Sequence, residues 1–236
     1  MNIRQIAKYI DHTNLKPNLS RNELIKLIEE CKTYKFAAIC ITPGWVGFAK
    51  QKLAGTGVEI ATVPNWQSGG GLLRVKNEFV FAEADAIDYI WDIYRFAIKK
   101  DWANTAKELE MVRKSTKKEM KVIIESTVLR HIAEDKNESY EMMMKEACKL
   151  VEESGANFIK TDSGLFIRDP NKKINNLYED VGLMKQFCKL PIKASAGIRS
   201  LEEVKVLIAA GATRIGTSSG VKIIEEAGRD GDEMDV

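Results

Sequence analysis

Two lysines in short apolar segments are the side chains of this sequence best suited to covalent chemistry. Lys160 ends the segment Phe158–Lys160, and Lys193 lies in the segment Ile192–Ala194. If these segments are neighbouring parallel strands, the two ammonium groups meet at one end of a sheet, where like charges disfavour protonation. A neutral lysine amine is what Schiff-base formation on a carbonyl requires. The pair therefore predicts an enzyme that forms a covalent imine. Our hypothesis is that Lys160 attacks and Lys193 favours its neutral form, and the sequence leaves the reverse assignment open.

Two aspartates are candidates for moving or holding protons near these lysines. Asp88 lies inside the apolar segment Ala86–Trp91, where a carboxylate must face a polar barrel mouth or be desolvated at a large cost. A proton-transfer role is favoured over a structural ion pair. Asp11 ends the first predicted strand, and it is either a second carboxylate of the site or a turn residue acting with Thr13. Cys40 is interpreted as core packing, with pocket lining as the alternative.

Two glycine-containing stretches near the end of the chain predict an anion site. Gly197 precedes Ser200 at a predicted helix start, and the stretch Gly216–Gly220 leads into the last predicted helix. Barrel enzymes often bind phosphate between the last two strand-to-helix loops, through backbone N–H groups and a helix N-terminus. Small residues permit the close approach that such binding needs. Together the two stretches favour a phosphorylated substrate.

Eight short apolar segments alternate with longer amphipathic ones. The predicted strands are Tyr9–Asp11, Ala37–Thr42, Glu59–Val63, Ala86–Trp91, Lys121–Glu125, Phe158–Lys160, Ile192–Ala194 and Arg214–Gly216. The predicted helices are Ser20–Tyr34, Trp45–Leu53, Leu72–Glu83, Trp102–Lys117, Ser139–Ser154, Asn175–Phe187, Ser200–Ala210 and Gly220–Glu226. The strands are apolar on both sides, as buried parallel strands are. Their number and the chain length favour a closed (β/α)8 TIM barrel over an open doubly wound sheet. The active site of such a barrel lies at the C-terminal strand ends, where the two lysines fall.

Composition and charge exclude several classes of function. The 236 residues, 44% of them hydrophobic, predict one barrel domain over residues 1–227 and a flexible polar tail over 228–236. A net charge of +2 gives no indication of nucleic acid or membrane partners. The four cysteines lack CxxC spacing and the two histidines lie far apart, so neither a metal site nor a cofactor is predicted. No segment resembles a signal peptide or a membrane span, which predicts a cytoplasmic protein.

Six short segments along the chain together form a pattern that is more specific than the fold. They are Asp11–Pro17 (DHTNLKP), Ala37–Ile41 (AAICI), Ala84–Asp88 (ADAID), Lys121–Glu125 (KVIIE), Gly155–Thr161 (GANFIKT) and Ile192–Arg199 (IKASAGIR). They resemble, in order and spacing, the signature segments of the deoxyribose-phosphate aldolase family, and they cover nearly the whole chain. The resemblance implies a class I aldolase on a TIM barrel. Such an enzyme reversibly cleaves 2-deoxy-D-ribose 5-phosphate to D-glyceraldehyde 3-phosphate and acetaldehyde without a metal.

The resemblance also implies roles for individual residues. Lys160 matches the Schiff-base lysine, Lys193 the second lysine that tunes it, and Asp88 the carboxylate that relays protons. The positions implied to bind substrate are Asp11, Thr13, Cys40, Thr161, Ala196, Gly197, Ser218 and Ser219, the last four of them around the phosphate. The expected partner is therefore a phosphorylated aldehyde or sugar. Barrels of this kind often form homodimers, to which exposed Trp45 or Trp102 could contribute.

Several segments depart from the family's pattern. Asp162 stands where the family usually has serine, Ala196 stands where it usually has glycine, and residues 64–71 lack its usual loop sequence. The stretch Trp91–Arg95 also replaces a more apolar pattern that contains glycine. Two alternatives follow, namely an aldolase for a different phosphorylated sugar and a sugar-phosphate-binding paralogue without catalysis. Borohydride trapping distinguishes the second, because a binding protein forms no reducible imine.

Overall fold

The computed structural model describes residues 1–64, 83–165 and 176–232, and its strands close into a parallel barrel. The strands are β1 (Ile10–Asn14), β2 (Ala38–Ile41), β3 (Glu59–Thr62), β4 (Ala86–Ile90), β5 (Glu119–Ile123), β6 (Phe158–Lys160), β7 (Ile192–Ser195) and β8 (Arg214–Thr217). Each strand pairs with the next, and β8 pairs with β1. The predicted (β/α)8 TIM barrel is therefore confirmed.

Helices connect the strands on the outside of the barrel. They are Ile3–Ala7, Arg21–Tyr34, Val46–Leu53, Trp102–Ser115, Ser126–Asp135, Tyr140–Glu153, Leu177–Phe187, Leu201–Ala210 and Gly220–Asp232, with a 3-10 turn at Pro43–Trp45 and a π-helical turn at Tyr94–Ile98. The helices Ile3–Ala7 and Ser126–Asp135 and the π-helical turn were not predicted. The prediction for residues 72–83 lies almost wholly outside the described residues.

Local capping explains where two of the predicted helices begin. Ser20 and Ser200 each accept a hydrogen bond from the backbone N–H three residues later, while Glu23 and Glu203 bind back to the capping residues. These reciprocal bonds satisfy N–H groups that the first helical turn leaves unpaired. The capping boxes therefore fix the direction in which the chain leaves β1 and β7.

The barrel interior differs from the layer between barrel and helices. That outer layer is apolar, with Ile87 and Tyr89 of β4 pointing into it. The interior holds a smaller apolar cluster, Leu15, Cys40, Ala61, Val63, Ala86, Ile90 and Ile123, with Leu165 against it. Asp88 alternates with Ile87 and Tyr89 along β4 and is fully buried. The expectation of strands apolar on both faces is thus incomplete, because charged side chains occupy part of the interior.

The last helix continues beyond its predicted end. It runs from Gly220 through Asp232, so the predicted boundary between residues 227 and 228 falls inside a helix. The domain limits and the flexibility of the tail stay predictions, and residues 233–236 lie outside the described part of the chain. Across the described ranges, every helix is too short or too polar to cross a bilayer.

Candidate active site

The two lysines predicted to act together meet on one carboxylate. Lys160 of β6 and Lys193 of β7 are register partners in the barrel. The Nζ atom of each lies 2.7 Å from Oδ2 of Asp88. Lys160 is 4% exposed, and Lys193 and Asp88 are fully buried. The structure thus brings the three predicted catalytic residues into direct contact.

The surroundings of the two lysines are unequal. Lys193 also forms an ion pair with Oδ2 of Asp11, whereas among the described residues Lys160 forms an ion pair only with Asp88. Burial lowers the pKa of Lys193, but the charges of Asp11 and Asp88 outweigh it and raise that pKa above its ordinary value. Lys193 is therefore held as a cation. Of the two lysines, only Lys160 lines the large cavity above the cluster, so the geometry favours Lys160 as the one that meets a substrate.

Asp88 is held as a carboxylate by three lysines. Burial raises its pKa, but Lys160, Lys193 and Lys121 together lower it below the ordinary aspartate value. Lys121 of β5 is the register partner of Asp88, and its Nζ lies 3.7 Å from Oδ1 of that residue. Sequence reasoning missed this third lysine, although a lysine alternating with inward-facing Ile123 was the available signal.

Further ion pairs extend the cluster toward the N-terminal ends of the strands. Lys121 Nζ lies 2.5 Å from Oε1 of Glu119, and Arg214 Nη1 lies 3.1 Å from Oδ1 of Asp11. Arg214 also lies 3.3 Å from Glu59, whose side chain is half exposed. The cluster thus joins four cations to four carboxylates. Every described member is paired with an opposite charge, which offsets part of the cost of burial. Among the described residues, Oδ1 of Asp88 and Oε1 of Glu119 accept no hydrogen bond.

A cavity of about 830 Å³ opens above this cluster at the C-terminal ends of the strands. Its wall includes five of the predicted site residues, Lys160, Thr13, Ala196, Gly197 and Ser218. The other predicted site residues are not part of the wall: Asp11, Asp88, Lys193, Cys40, Thr161 and Ser219. The first three of these form the buried cluster beneath it. The cations Lys16, Lys26 and Arg199 also line the cavity, as do Glu23 and Glu30. With Lys160 the cations outnumber these carboxylates, which suits an anionic ligand.

Three predicted binding residues have structural contacts instead. Cys40 packs inside the barrel, and burial raises the pKa of its thiol. The Thr161 hydroxyl donates to the Ser195 carbonyl at 3.1 Å and accepts from its N–H at 3.0 Å. The Ser219 N–H donates to the Thr217 hydroxyl at 2.9 Å. These contacts shape the loops rather than the cavity surface.

The loop after β7 adopts an unusual backbone at the cavity wall. Ala196 and Gly197 have φ values of 81° and 76°, in the left-handed region that disfavours a Cβ.

Gly216 of β8 faces β7, and a Cβ there would lie 3.0 Å from Cβ of Ser195 and 3.2 Å from Cε of Lys193. The absence of a side chain at Gly216 therefore leaves space for the side chain of Lys193.

Asp162 is turned away from the cavity. Its Oδ2 accepts a hydrogen bond from the Ser126 hydroxyl at 2.9 Å, and its Oδ1 accepts from the Thr127 N–H at 3.0 Å. Its negative charge thus acts at the start of the helix Ser126–Asp135, where an anion is favourable. In the described ranges no three His, Cys, Asp or Glu side chains group as metal ligands.

Comparisons with known proteins show which family the chain resembles in sequence. A family model described as DeoC/LacD family aldolase matches residues 5–226. Deoxyribose-phosphate aldolase of Bacillus subtilis (strain 168) is 34% identical over 227 residues, covering 93% of this chain and 95% of the relative. Deoxyribose-phosphate aldolase of Thermoanaerobacter sp. (strain X514) is 38% identical over 231 residues, covering 94% and 96%. Among solved structures, the aldolase QR15 is 30% identical with a TM-score of 0.81, covering 97% of this chain and 98% of that one.

Proposed function

The chain belongs to the DeoC/LacD aldolase family, and we propose that it is a class I aldehyde-lyase for 2-deoxy-D-ribose 5-phosphate. It would reversibly cleave this sugar to D-glyceraldehyde 3-phosphate and acetaldehyde. The observation that carries the proposal is the contact of Lys160 and Lys193 with a single Asp88 oxygen below the cavity. Of those three residues, only Lys160 reaches the cavity wall.

The covalent step begins at Lys160. Its neutral Nζ attacks the C1 carbonyl of the open-chain sugar, and the carbonyl oxygen leaves as water to give a protonated imine. Loss of the proton from the C3 hydroxyl then lets the C2–C3 electron pair move into an enamine on Lys160, which releases glyceraldehyde 3-phosphate. Protonation of the enamine at C2 and hydrolysis of the imine release acetaldehyde and restore the lysine.

Asp88 and Lys193 supply the proton transfers that these steps need. Asp88 Oδ2 lies 2.7 Å from the nucleophile and from Lys193, within the reach of a general acid or base. Lys193 stays charged because Asp11 and Asp88 raise its pKa. In this scheme a water bound in the cavity carries protons between these groups and the substrate. Asp11 positions Lys193 instead of touching the sugar.

The cavity fits a phosphorylated substrate. Ala196, Gly197 and Ser218 form its wall between the loops after β7 and β8, where barrel enzymes often bind phosphate. The cations Lys16 and Arg199 add to the attraction. The site would act in the cytoplasm, in carbohydrate and deoxyribonucleotide catabolism. A homodimer is the proposed assembly, with Trp102 exposed and Trp45 half-buried.

Borohydride trapping tests the covalent step directly. The protein is incubated with deoxyribose 5-phosphate or acetaldehyde, reduced with borohydride, and mapped by peptide mass spectrometry. We expect a reduced adduct on Lys160 with both compounds. Lys16→Ala, which removes another lysine of the cavity wall, should leave that adduct in place, and Lys160→Ala should abolish it. An adduct with acetaldehyde alone would reject the assigned sugar, and no adduct with either would reject the imine mechanism.

A further inference from the structure

Two buried carboxyl groups lie beside the proposed nucleophile, outside the cluster described above. Ile123 and Lys160 are register partners at the ends of β5 and β6. Glu125 and Asp162 stand two residues beyond them, where the two strands pass into loops. Glu125 is 1% exposed and Asp162 is 3% exposed. Neither has an ion-pair partner among the described residues, although Lys160 is near enough to influence Glu125.

Each carboxyl group binds the loop that carries the other. Both oxygens of Glu125 accept from the backbone N–H of Ser163, at 3.3 and 3.2 Å. Asp162 accepts from the Ser126 hydroxyl at 2.9 Å and from the Thr127 N–H at 3.0 Å. The contacts are therefore reciprocal and tie the loop after β5 to the loop after β6. We call Glu125 and Asp162 with these bonds the carboxyl clasp.

The backbone at Glu125 is part of the clasp. Its φ of 55° lies in the left-handed region, which residues with a Cβ rarely adopt. Such a conformation persists only where surrounding contacts hold it, and it is common near functional sites. Here the contacts that hold it include the two bonds from Glu125 to Ser163.

The clasp holds a segment that forms part of the cavity. Ser163, Gly164 and Leu165 line the cavity together with Lys160. Ser163 is bound directly by Glu125, and Leu165 packs on the apolar cluster inside the barrel. A change at the clasp therefore moves the wall that faces a substrate bound to Lys160.

Burial and neighbouring charges raise the pKa of both acids of the clasp. Burial, followed by the charge of Asp162, raises the pKa of Glu125 to about 7, while Lys160 opposes this. Burial and the charge of Asp180 raise the pKa of Asp162 to about 6, while its bonds to Ser126 and Thr127 oppose this. Asp180 is itself paired with Arg130 and bound by Tyr140. Acids arranged in this way titrate as a pair.

We propose that Glu125 and Asp162 are positioning residues that fix the segment 163–165 against Lys160, and that the clasp loosens when both acids are ionised. Two buried negative charges then repel each other across the loops that they tie together. The kinetic consequence of this inference rests on the proposed aldolase function. Its consequence for the pH dependence of thermal unfolding is independent of that function.

The kinetic test compares the wild type with Asp162→Asn. The asparagine can still accept from the Thr127 N–H and can donate to the Ser126 hydroxyl, but it cannot ionise. For the wild type we expect KM for deoxyribose 5-phosphate to rise at least about threefold from about pH 6.5 to about pH 8.5, with a smaller change in kcat. In Asp162→Asn the KM should stay within about twofold over that range. Parallel KM profiles for the two proteins would overturn the proposal.

A second buried acid provides the matched control. Glu108 is 2% exposed, and burial raises its pKa, yet it binds Tyr89 and Arg95 outside the cavity. Glu108→Gln should keep the wild-type pH dependence of KM. A flat profile in this variant would show that any buried acid has the effect, which would also overturn the proposal.

Thermal unfolding tests the clasp without turnover. Raised pKa values mean that the folded protein holds protons that the unfolded chain has lost, so this stability is present below about pH 4 and is lost as pH rises through 6 and 7. We expect the wild-type Tm to fall by several degrees from about pH 5 to about pH 8 and the fall to be much smaller in Asp162→Asn. If that variant does not fold, Glu125→Gln takes its place. Equal falls refute the clasp, and a difference without any turnover refutes only the aldolase assignment.

Discussion

Two groups of buried charges, close to each other at the top of the barrel, are built on opposite principles. In the cluster of ion pairs around Asp88 and Asp11 each described charge faces an opposite one, which lowers the pKa of Asp88 and raises that of Lys193. In the carboxyl clasp two acids share a buried site, and the pKa of each is raised toward neutrality. Pairing therefore keeps Asp88 ionised and Lys193 protonated, whereas burial of two acids side by side leaves the clasp ready to titrate near pH 7.

The largest effect should come from removing the nucleophile. Lys160→Met deletes the amine while its methylene stem is kept, so imine formation is lost. We expect kcat/KM for cleavage of deoxyribose 5-phosphate to fall by about 10⁴-fold or more, and the Tm to fall as well, because Asp88 loses one of its buried ion-pair partners. Turnover within tenfold of the wild type would place the covalent step elsewhere, and would remove the reason for a cluster that ends at Lys160.

Asp88→Asn should damage both function and stability. It removes the buried carboxylate that pairs with Lys160, Lys193 and Lys121. Breaking one partner of a buried ion pair typically costs about 3–5 kcal/mol, and loss of a general acid or base typically costs about 10²–10⁴-fold in rate. Urea unfolding and steady-state kinetics measure the two losses. An unchanged free energy of unfolding would show that the cluster does not compensate its own burial.

Acid titration should separate the two groups without mutation of the cluster. The lowered pKa values of Asp11 and Asp88 add stability that is present above the ordinary aspartate pKa and is lost as pH falls below about 4. We therefore expect the Tm to fall on acidification below about pH 4, equally in the wild type and in Asp162→Asn. A fall that depends on Asp162 would mean that the two groups are one electrostatic unit.

Lys121→Met should show how far the cluster reaches. Lys121 touches no part of the cavity wall, but its charge helps to lower the pKa of Asp88. We expect kcat to fall by about tenfold, with KM little changed and the acid limb of the kcat profile moved to higher pH. Lys117→Met, at an exposed lysine just before the same strand, is the control and should match the wild type. If the acid limb of the kcat profile does not shift, Lys121 does not influence catalysis, and the catalytic group consists of Asp88, Lys160 and Lys193.

The smallest effect lies outside both groups and isolates backbone strain from charge. Ala196→Gly relieves the left-handed φ of 81° at the cavity wall. We expect the free energy of unfolding to rise by about 0.5–1 kcal/mol and KM for the phosphorylated sugar to fall slightly. Ala194→Gly, in the buried strand just before it, should instead destabilise by a similar amount. A loss of stability in both variants would show that the turn at Ala196 is not strained.

The barrel could be predicted from the sequence because its strands are short apolar runs between amphipathic helices. Phe158–Lys160 was placed to the residue, and the lysines were expected to meet because parallel neighbours end at one edge. The helix Ser126–Asp135 was not predicted because the residue before it, Glu125, makes no side-chain capping hydrogen bond. The backbone of Glu125 is in the left-handed conformation. No local sequence pattern predicts a left-handed backbone at Glu125.

Other parts of the site depend on distances across the barrel. The pairing of Asp11 with Arg214 joins residues at opposite ends of the chain, and that of Asp88 with Lys121 follows from strand register. Similarly, the direction of the Asp162 side chain depends on the path of a loop. Sequence reasoning could name Asp11 and Asp162 as charges near the site but could not give their partners.

The glycine at position 216 carries a historical consequence. A methyl group there would press on both Ser195 and the end of Lys193. These contacts are tighter than ordinary ones, so alanine at 216 requires Ser195 and the end of Lys193 to shift by a few tenths of an ångström. We therefore expect glycine to be favoured at this position in lineages that keep the second lysine, and the constraint to weaken in lineages that lose it.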